Sequence, residues 1–425
     1  MTTLTVGSLR ASDRSEASIT FEGVVAFLIC LFVFAIPTEL LIYGDLSVTL
    51  PAGALTIAVG IIGIIWRNRV EVPTPGLALL AAFVIWSTIS IVWSPFPQQS
   101  LSRVFVYWEL LAMSAVMTQY IPGYRARIFK AYLAGCVWGV LDVAYRYLSG
   151  ARYAGMEGRF SAANTDPNYL GLSLVMGIPI ACYLAFKARA LWTRIMYLAY
   201  LPAAAFAIVL TGSRGAVVSA AAVAIVVCVS LPGKARVICC AALLLVAGLF
   251  ILPPDIRNRA TDLLPSEAAR RFSSIAEELD HGSLASRRTF WKVGLDLVAD
   301  HPVRGNGAAM SDALLSSTMG RSIGLHSLPL LLATDEGLIG VALFYGALLL
   351  SIPYVWRWPP ALRTAMLGAA AAWIVGSCSL NWDIHKATWM LLTLFLSPES
   401  AVPVAPLTRA TSPEWNTTIR SAASA

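Results

Sequence analysis

Charged residues are scarce in this sequence. They make up 13% of the 425 residues, whereas hydrophobic residues make up 57% and the mean hydropathy is +0.70. A soluble domain carries roughly 25% charged residues. The composition therefore excludes a soluble enzyme, a nucleic-acid-binding protein and a disordered scaffold. It predicts an all-α protein that crosses a membrane many times.

Several other features are missing. The chain has four histidines and no Asp-X-Asp motif, so no metal site is predicted. Its seven cysteines all lie in apolar stretches, which predicts neither a disulfide framework nor a cysteine-based metal site. No cofactor is predicted. The N-terminus lacks a signal-peptide pattern, so the first span is expected to remain as an anchor.

Apolar stretches close to the roughly 20 residues that a transmembrane helix needs recur along the chain. They predict twelve spans, at 22–43, 47–66, 75–93, 101–121, 129–148, 168–187, 195–212, 215–232, 237–253, 330–355, 361–379 and 386–397. The predicted parts are a tail at 1–21, nine spans within 22–253, a long loop at 254–325, three spans within 326–397 and a tail at 398–425.

Lysine and arginine predict the orientation. With the N-terminus inside, every short inner loop carries at least two basic residues, such as Arg67 with Arg69 or Lys234 with Arg236. This is the bias that cytoplasmic loops show. Both termini are then cytoplasmic, and the long loop and all four histidines lie on the outer side. The polar chemistry is therefore expected at the outer face.

The long outer loop is predicted to contain a helix from Ser283 to about Ala299. One apolar stripe runs along this helix, formed by Leu284, Arg288, Trp291, Leu295 and Val298. Arg288 thus falls on the face expected to pack onto the membrane domain, where an unpartnered charge is costly. It either stacks on Trp291 or snorkels towards lipid headgroups, or it directs its guanidinium at an anion in a cavity.

His326 opens the apolar stretch after this loop, and Pro329 suits the first turn of a helix there. The positive end of the helix dipole favours neutral imidazole, which can act as a general base. The alternative is an interfacial histidine bonded to backbone. Glu336 lies about three turns further on and either orients the imidazole or another polar group, or pairs with an outer arginine.

Two other outer segments are basic. Arg214 lies in residues 211–215 (Thr-Gly-Ser-Arg-Gly), whose glycines allow close backbone approach, so it is either a phosphate ligand or an ordinary interfacial arginine. Arg152 and Arg159 precede residues 164–168 (Asn-Thr-Asp-Pro-Asn), which read first as a turn with a helix cap and less strongly as a sugar contact.

These residue types suit one kind of chemistry. Arginine binds phosphate bidentately and remains charged, so it can neutralise a departing diphosphate in place of a metal ion. A histidine can take the proton of an attacking sugar hydroxyl. The combination suggests glycosyl or phosphoryl transfer from a lipid-linked donor.

Several motifs follow one another in order between residues 80 and 350. They are Trp93-Ser94-Pro95, Asp166-Pro167-Asn168, Thr211-Gly212-Ser213-Arg214-Gly215, Arg288 with Trp291, His301-Pro302-Val303-Arg304-Gly305-Asn306-Gly307, and His326 with Glu336-Gly337-Leu338-Ile339-Gly340. In this order the sequence resembles the O-antigen ligase and polymerase family of bacterial envelope glycosyltransferases.

The resemblance implies a twelve-helix enzyme of the bacterial inner membrane with a periplasmic site. Such enzymes move a glycan from undecaprenyl diphosphate to an acceptor sugar on lipid A-core or a growing polysaccharide, without metal and with inversion. It implies catalytic roles for Arg214, Arg288 and His326. The candidate substrate-binding residues are Arg152, Arg159, Asn168, Arg304 and Glu336. Relatives commonly have Asn after this histidine, where this chain has Ser327.

Three functions remain open at this stage. A ligase attaches finished polymer to lipid A-core, and the arginines with His326 favour it slightly. A polymerase joins lipid-linked repeat units, and a second basic loop with Arg152 and Arg159 would suit it. A transporter of lipid-linked glycan is less favoured, because the sequence has neither a basic path through the mid-membrane nor repeated halves.

Overall fold

The computed structural model describes residues 21–39, 41–43, 46–67, 74–153, 159–163, 165–230, 233, 236, 284–320 and 324–397. This part of the chain contains thirteen helices. They are α1 (Phe21–Ala35), α2 (Thr49–Arg67), α3 (Pro75–Ser90), α4 (Pro97–Thr118), α5 (Ile121–Ser149), α6 (Pro167–Lys187), α7 (Leu191–Thr211), α8 (Arg214–Ser230), α9 (Leu284–Asp300), α10 (Met310–Met319), α11 (Leu328–Val355), α12 (Pro360–Ser377) and α13 (Lys386–Leu396). A 3-10 turn at Ile91–Trp93 and a two-stranded antiparallel hairpin, β1 (Leu41–Tyr43) and β2 (Leu46–Ser47), complete it.

The all-α prediction is confirmed. Eleven of the twelve predicted spans coincide with a helix, and the span at 237–253 lies outside the described residues. Seven described helices, α2 to α7 and α11, are long and apolar enough to cross a membrane. The count of twelve, the sidedness and the boundaries of the tails and the long loop stay predictions.

The first span was predicted to reach residue 43, and that end was wrong. Helix α1 ends at Ala35, and the chain then turns and enters the hairpin. Pro37 explains the early end, because proline disfavours helical backbone at Ile36 and donates no hydrogen bond itself. Glu39 consequently lies outside the helix, where it can reach the loop that precedes α13.

Helix α13 is short but deeply placed. Every residue from Ala387 to Leu396 is buried, as expected of a helix that is apolar on all sides. The indole of Trp373 in α12 donates a hydrogen bond of 2.9 Å to the Thr388 hydroxyl. Such burial fixes the residues that lead into α13.

The far end of α13 is clamped by a buried arginine. Arg125 of α5 donates from Nη2 to the Ser397 carbonyl at 2.8 Å, and its guanidinium lies 4.8 Å from the centre of the Trp358 ring. The last carbonyls of a helix lack intrahelical partners and favour a cation. Arg125 thus joins α13 to α5 and to the segment that carries Trp358.

Helix α11 is broken at Gly337, which has φ 67° and ψ −171°. Residues 302–307 fill the break. The amides of Asn306 and Gly307 donate to the carbonyls of Thr334 and Asp335 at 2.9 and 2.8 Å, and Leu338 N donates to the Pro302 carbonyl at 2.9 Å. Residues 302–307 are therefore locked onto α11 by backbone groups that the break leaves open.

Candidate active site

Residues 378–385 connect α12 to α13, and this α12–α13 loop contacts three other segments through Asn381. The Asn381 side chain accepts from Ser327 N at 3.3 Å and donates to Asp312 Oδ1 at 3.2 Å. Its carbonyl accepts from the Tyr169 hydroxyl at 3.2 Å. One residue thus links the start of α6, helix α10 and the segment that leads into α11.

Asp383 attaches the same loop to α4. Its Oδ2 atom forms an ion pair with Arg103 and accepts a hydrogen bond of 2.9 Å from the Tyr107 hydroxyl. The residue is only 1% exposed. Breaking such a buried pair by removing one partner is strongly destabilising, because the other charge stays buried.

The loop ends in a packed histidine and an ion pair. His385 stacks on Trp382 with the ring centres 4.3 Å apart, and its Nδ1 accepts from Ala387 N at 3.3 Å as the cap of α13. Lys386 bonds Glu39 Oε1 at 2.9 Å. Burial lowers the pKa of His385 to about 4, against the opposing charges of Glu39 and Asp383. The imidazole is therefore neutral, which its role as a hydrogen-bond acceptor also requires.

This neutral imidazole is expected to make stability depend on pH. The folded-state pKa of about 4 lies below the ordinary value of 6.5, so between them the unfolded chain binds a proton that the folded protein does not. Stability should be full above about pH 6.5 and fall by on the order of 3 kcal/mol towards pH 4. Thermal unfolding in detergent across this window measures it.

The matched variant is His385→Asn, which keeps a capping side chain but cannot titrate in this range. Its unfolding temperature should depend less on pH between 6.5 and 4 than that of the wild type. The same slope in both proteins would show that other groups govern the acid response.

The same contacts surround a cavity of about 750 Å³. Its wall combines the start of α2, the middle of α4, the connection from α5 to α6, Asp312 and the α12–α13 loop. Burial raises the pKa of the Asp312 carboxyl, and the nearby Arg103 guanidinium opposes that rise. The size suits a small-molecule site, for which roughly 300–1,000 Å³ is typical.

His326 holds an unusual backbone conformation beside this loop. Its φ is +48°, in the left-handed region that a side chain rarely adopts. The neighbours on both sides are fixed: Leu325 is buried and its carbonyl accepts from the Trp291 indole at 3.1 Å, and Ser327 N donates to Asn381. The side chain of His326 is exposed. Such strain persists where surrounding contacts impose it and clusters at functional positions.

The predicted packing face of α9 was wrong in part: Trp291 and Val298 are half-buried, but two other members of the stripe are not. Arg288 and Leu295 are exposed, and the helix packs through Phe290 and Gly294 instead. A Cβ atom at Gly294 would lie 2.8 Å from Leu325, so the glycine allows close approach. The predicted stripe was drawn through large apolar side chains, so it did not include Gly294. Arg288 precedes Trp291 by one helical turn, and Trp291 is the residue whose indole binds the Leu325 carbonyl.

Arg214 begins helix α8, and its side chain is exposed. The next residue, Gly215, faces the α12–α13 loop so closely that a Cβ atom there would lie 2.5 Å from Ser379 Oγ. Helix α8, which carries Arg214, thus contacts the α12–α13 loop at Ser379, and the segment that carries His326 contacts the same loop at Asn381.

Arg159 and Asn168 contact each other. Arg159 donates from Nη2 to Asn168 Oδ1 at 2.8 Å and from Nε to the Thr211 carbonyl at 2.6 Å. The predicted cap is confirmed, since Asp166 Oδ1 accepts from Asn168 N at 2.7 Å. Both side chains therefore stabilise the junction between α6 and α7, whereas Arg152 is exposed.

Glu336 and Arg304 lie near α3 and the turn that follows it. Glu336 is completely buried beside the hydroxyls of Ser87 and Ser90, so it offers no surface to a substrate in this structure, contrary to its predicted role. Arg304 is exposed, with its guanidinium 5.8 Å from the centre of the Trp93 ring.

Sequence reasoning missed the residues around the cavity. None of Arg103, Asn381 and Asp383 was singled out as a functional residue. The available signal was the polar run 381–386 (Asn-Trp-Asp-Ile-His-Lys) between two apolar spans. In the described part of the chain, no group of three His, Cys, Asp or Glu side chains is arranged to hold a metal ion.

Comparison with known families adds an independent observation. Residues 199–345 match the O-antigen ligase family. The matched range runs from α7 to α11 and contains Arg214, Arg288, Arg304, His326 and Glu336. No curated protein matches the chain. The family resemblance drawn from the motifs is confirmed over that range.

The O-antigen ligase match and the apolar helices together support a membrane glycosyltransferase that acts on a lipid-linked glycan and an acceptor. The matched range stops before the α12–α13 loop. Arg103, Asn381 and Asp383 therefore lie outside it, although Asn381 binds the segment that carries His326.

Proposed function

We propose that the chain is an O-antigen ligase-like glycosyltransferase that moves a glycan from undecaprenyl diphosphate to a sugar hydroxyl at the periplasmic face of the inner membrane. The observation that carries the proposal is the family match over residues 199–345, since it spans Arg214, Arg288 and His326. The exposure of Arg214 and Arg288 supports it, and so does the exposed side chain of His326 on a constrained backbone.

The proposed reaction is a single displacement with inversion. The acceptor oxygen bonds to the anomeric carbon as the bond from that carbon to the diphosphate oxygen breaks. Imidazole of His326 takes the hydroxyl proton, and undecaprenyl diphosphate leaves with its charge neutralised by Arg214 and Arg288. These charges perform the task that a metal ion would otherwise perform.

A repeat-unit polymerase is the alternative within the same family. It was favoured by two basic side chains on the second outer loop, Arg152 and Arg159. Because Arg159 bonds Asn168 and the Thr211 carbonyl, only Arg152 of that pair is fully exposed for a second diphosphate. This internal use of Arg159 favours the ligase.

The glycan profile of a deletion strain, complemented with the wild-type gene, tests the proposal. We expect full-length polymer to accumulate on the lipid carrier without the protein and to return to lipid A-core with it. Single repeat units on the carrier would indicate the polymerase instead. An unchanged profile would contradict both and favour a transporter.

A further inference from the structure

The cavity beside the α12–α13 loop is acidic. Among the residues that the structure describes, five carboxylates line it, namely Glu39, Glu109, Asp166, Asp312 and Asp383. The same described lining has two cations, Arg103 and Lys386, and each is already paired with one of those carboxylates. This part of the wall therefore carries excess negative charge and disfavours a diphosphate. It suits a ligand that offers hydrogen-bond donors without negative charge.

One buried acceptor on this wall lacks a donor. Asp383 Oδ2 is used by Arg103 and Tyr107, but its Oδ1 atom has no hydrogen-bond partner although the residue is 1% exposed. Buried carboxylate oxygens without partners are rare, because each costs the energy of removing it from water. Among the described residues this oxygen has no donor, and Asp383 lines the cavity, so a ligand hydroxyl can satisfy it after a local movement of the wall uncovers the buried atom.

The rest of the wall suits a sugar ring. Tyr169 lines the cavity and packs edge-on against His385, with the ring centres 5.4 Å apart. Phe32, Leu110 and Met113 form an apolar part of the same wall. Aromatic and apolar side chains beside placed polar groups are the usual means by which a site orients a small ligand.

The cavity is connected to the proposed base by two hydrogen bonds. Asp312 lines the cavity and accepts from Asn381, and Asn381 accepts from the amide of Ser327, next to His326. A ligand that binds Asp312 therefore contacts the same hydrogen-bonded chain, through Asn381, that holds Ser327 beside His326.

We propose that this acidic cavity binds the uncharged sugar residues of the acceptor, through hydrogen bonds from their hydroxyls to Asp312, Glu109 and the free oxygen of Asp383. The inference rests on the proposed function and assigns its two substrates to different places. The acceptor sugar occupies the acidic cavity, and the diphosphate stays outside it with Arg214 and Arg288.

Calorimetric titration of the purified full chain in detergent tests this assignment with two probes. One is the core oligosaccharide released by mild acid from the lipopolysaccharide of the deletion strain, which lacks the transferred glycan, and then dephosphorylated; the other is inorganic pyrophosphate. Asp312→Asn keeps the oxygen that accepts from Asn381 but removes the charge. We expect it to weaken oligosaccharide binding about tenfold and to leave pyrophosphate binding unchanged, since hydrogen bonds to charged groups are the stronger ones.

Two further variants make the result specific. Glu109→Gln alters an exposed cavity residue with little risk to folding, and it should also weaken only the oligosaccharide. Asp296→Asn removes an exposed carboxylate of α9 and should change neither affinity. The assignment would be overturned if both cavity variants bound the oligosaccharide with unchanged affinity, or if they lost affinity for pyrophosphate instead. It would also be overturned if the wild type did not bind the oligosaccharide. The glycan profile judges the proposed function separately.

Discussion

Transfer is expected to fall about 10²- to 10⁴-fold when His326 is replaced by glycine, which is the range that a positioned acid or base contributes. Glycine adopts a φ of +48° without a steric penalty, so the hydrogen bonds of Leu325 and Ser327 persist and only the imidazole is lost. The amount of polymer on lipid A-core in the complemented deletion strain measures the effect.

His301→Ala is the matched control, because it removes another imidazole just after the end of α9 and should transfer normally. Unfolding of the His326→Gly protein in detergent should occur at the wild-type temperature or above, since the backbone strain is relieved. Undiminished transfer by that variant would exclude His326 as the base.

Gly337→Ala is expected to destabilise the protein by more than about 4 kcal/mol. Gly337 adopts φ 67° and ψ −171°, and a Cβ atom there would lie 2.2 Å from the Val303 carbonyl oxygen. Either α11 or residues 302–307 must move, which breaks the backbone hydrogen bonds that fill the gap. The yield of folded protein and its unfolding temperature measure the loss.

Gly123→Ala serves as the control for this substitution. Gly123 lies within α5, and a Cβ atom there would meet nothing within 4 Å. Alanine is favoured over glycine in a helix by roughly 1 kcal/mol, so this variant should be as stable as the wild type or more so. Equal stability of both variants would show that the break in α11 tolerates a side chain.

Hydropathy predicted most of the helices, because burial of apolar side chains in lipid requires long apolar runs. It did not reveal the break in α11, since the surrounding window is apolar on average and the conformation of Gly337 depends on residues 302–307. The first span was extended past Pro37 for the same reason, because residues 40–43 are apolar again after Thr38 and Glu39. Helix identity was predictable, and the interruptions were not.

The motifs led to Arg214, Arg288 and His326, but not to the groups that position them. Arg103 and Asp383 are 280 residues apart in the chain, and no local pattern pairs them. Gly294 was overlooked on α9 because a glycine adds no hydrophobicity and yet decides which face approaches Leu325. Long-range pairs and close approaches through glycine depend on the folded chain as a whole.

The α12–α13 loop and the first residue of α13 also bear on the order in which the site can be assembled. Asn381, Asp383 and Lys386 bind residues that leave the ribosome earlier, including Glu39, Arg103 and Ser327. Until α13 has been inserted, those residues lack these partners. We therefore expect a nascent chain that stops before residue 381 to lack the assembled cavity, however many of its earlier helices are already in place.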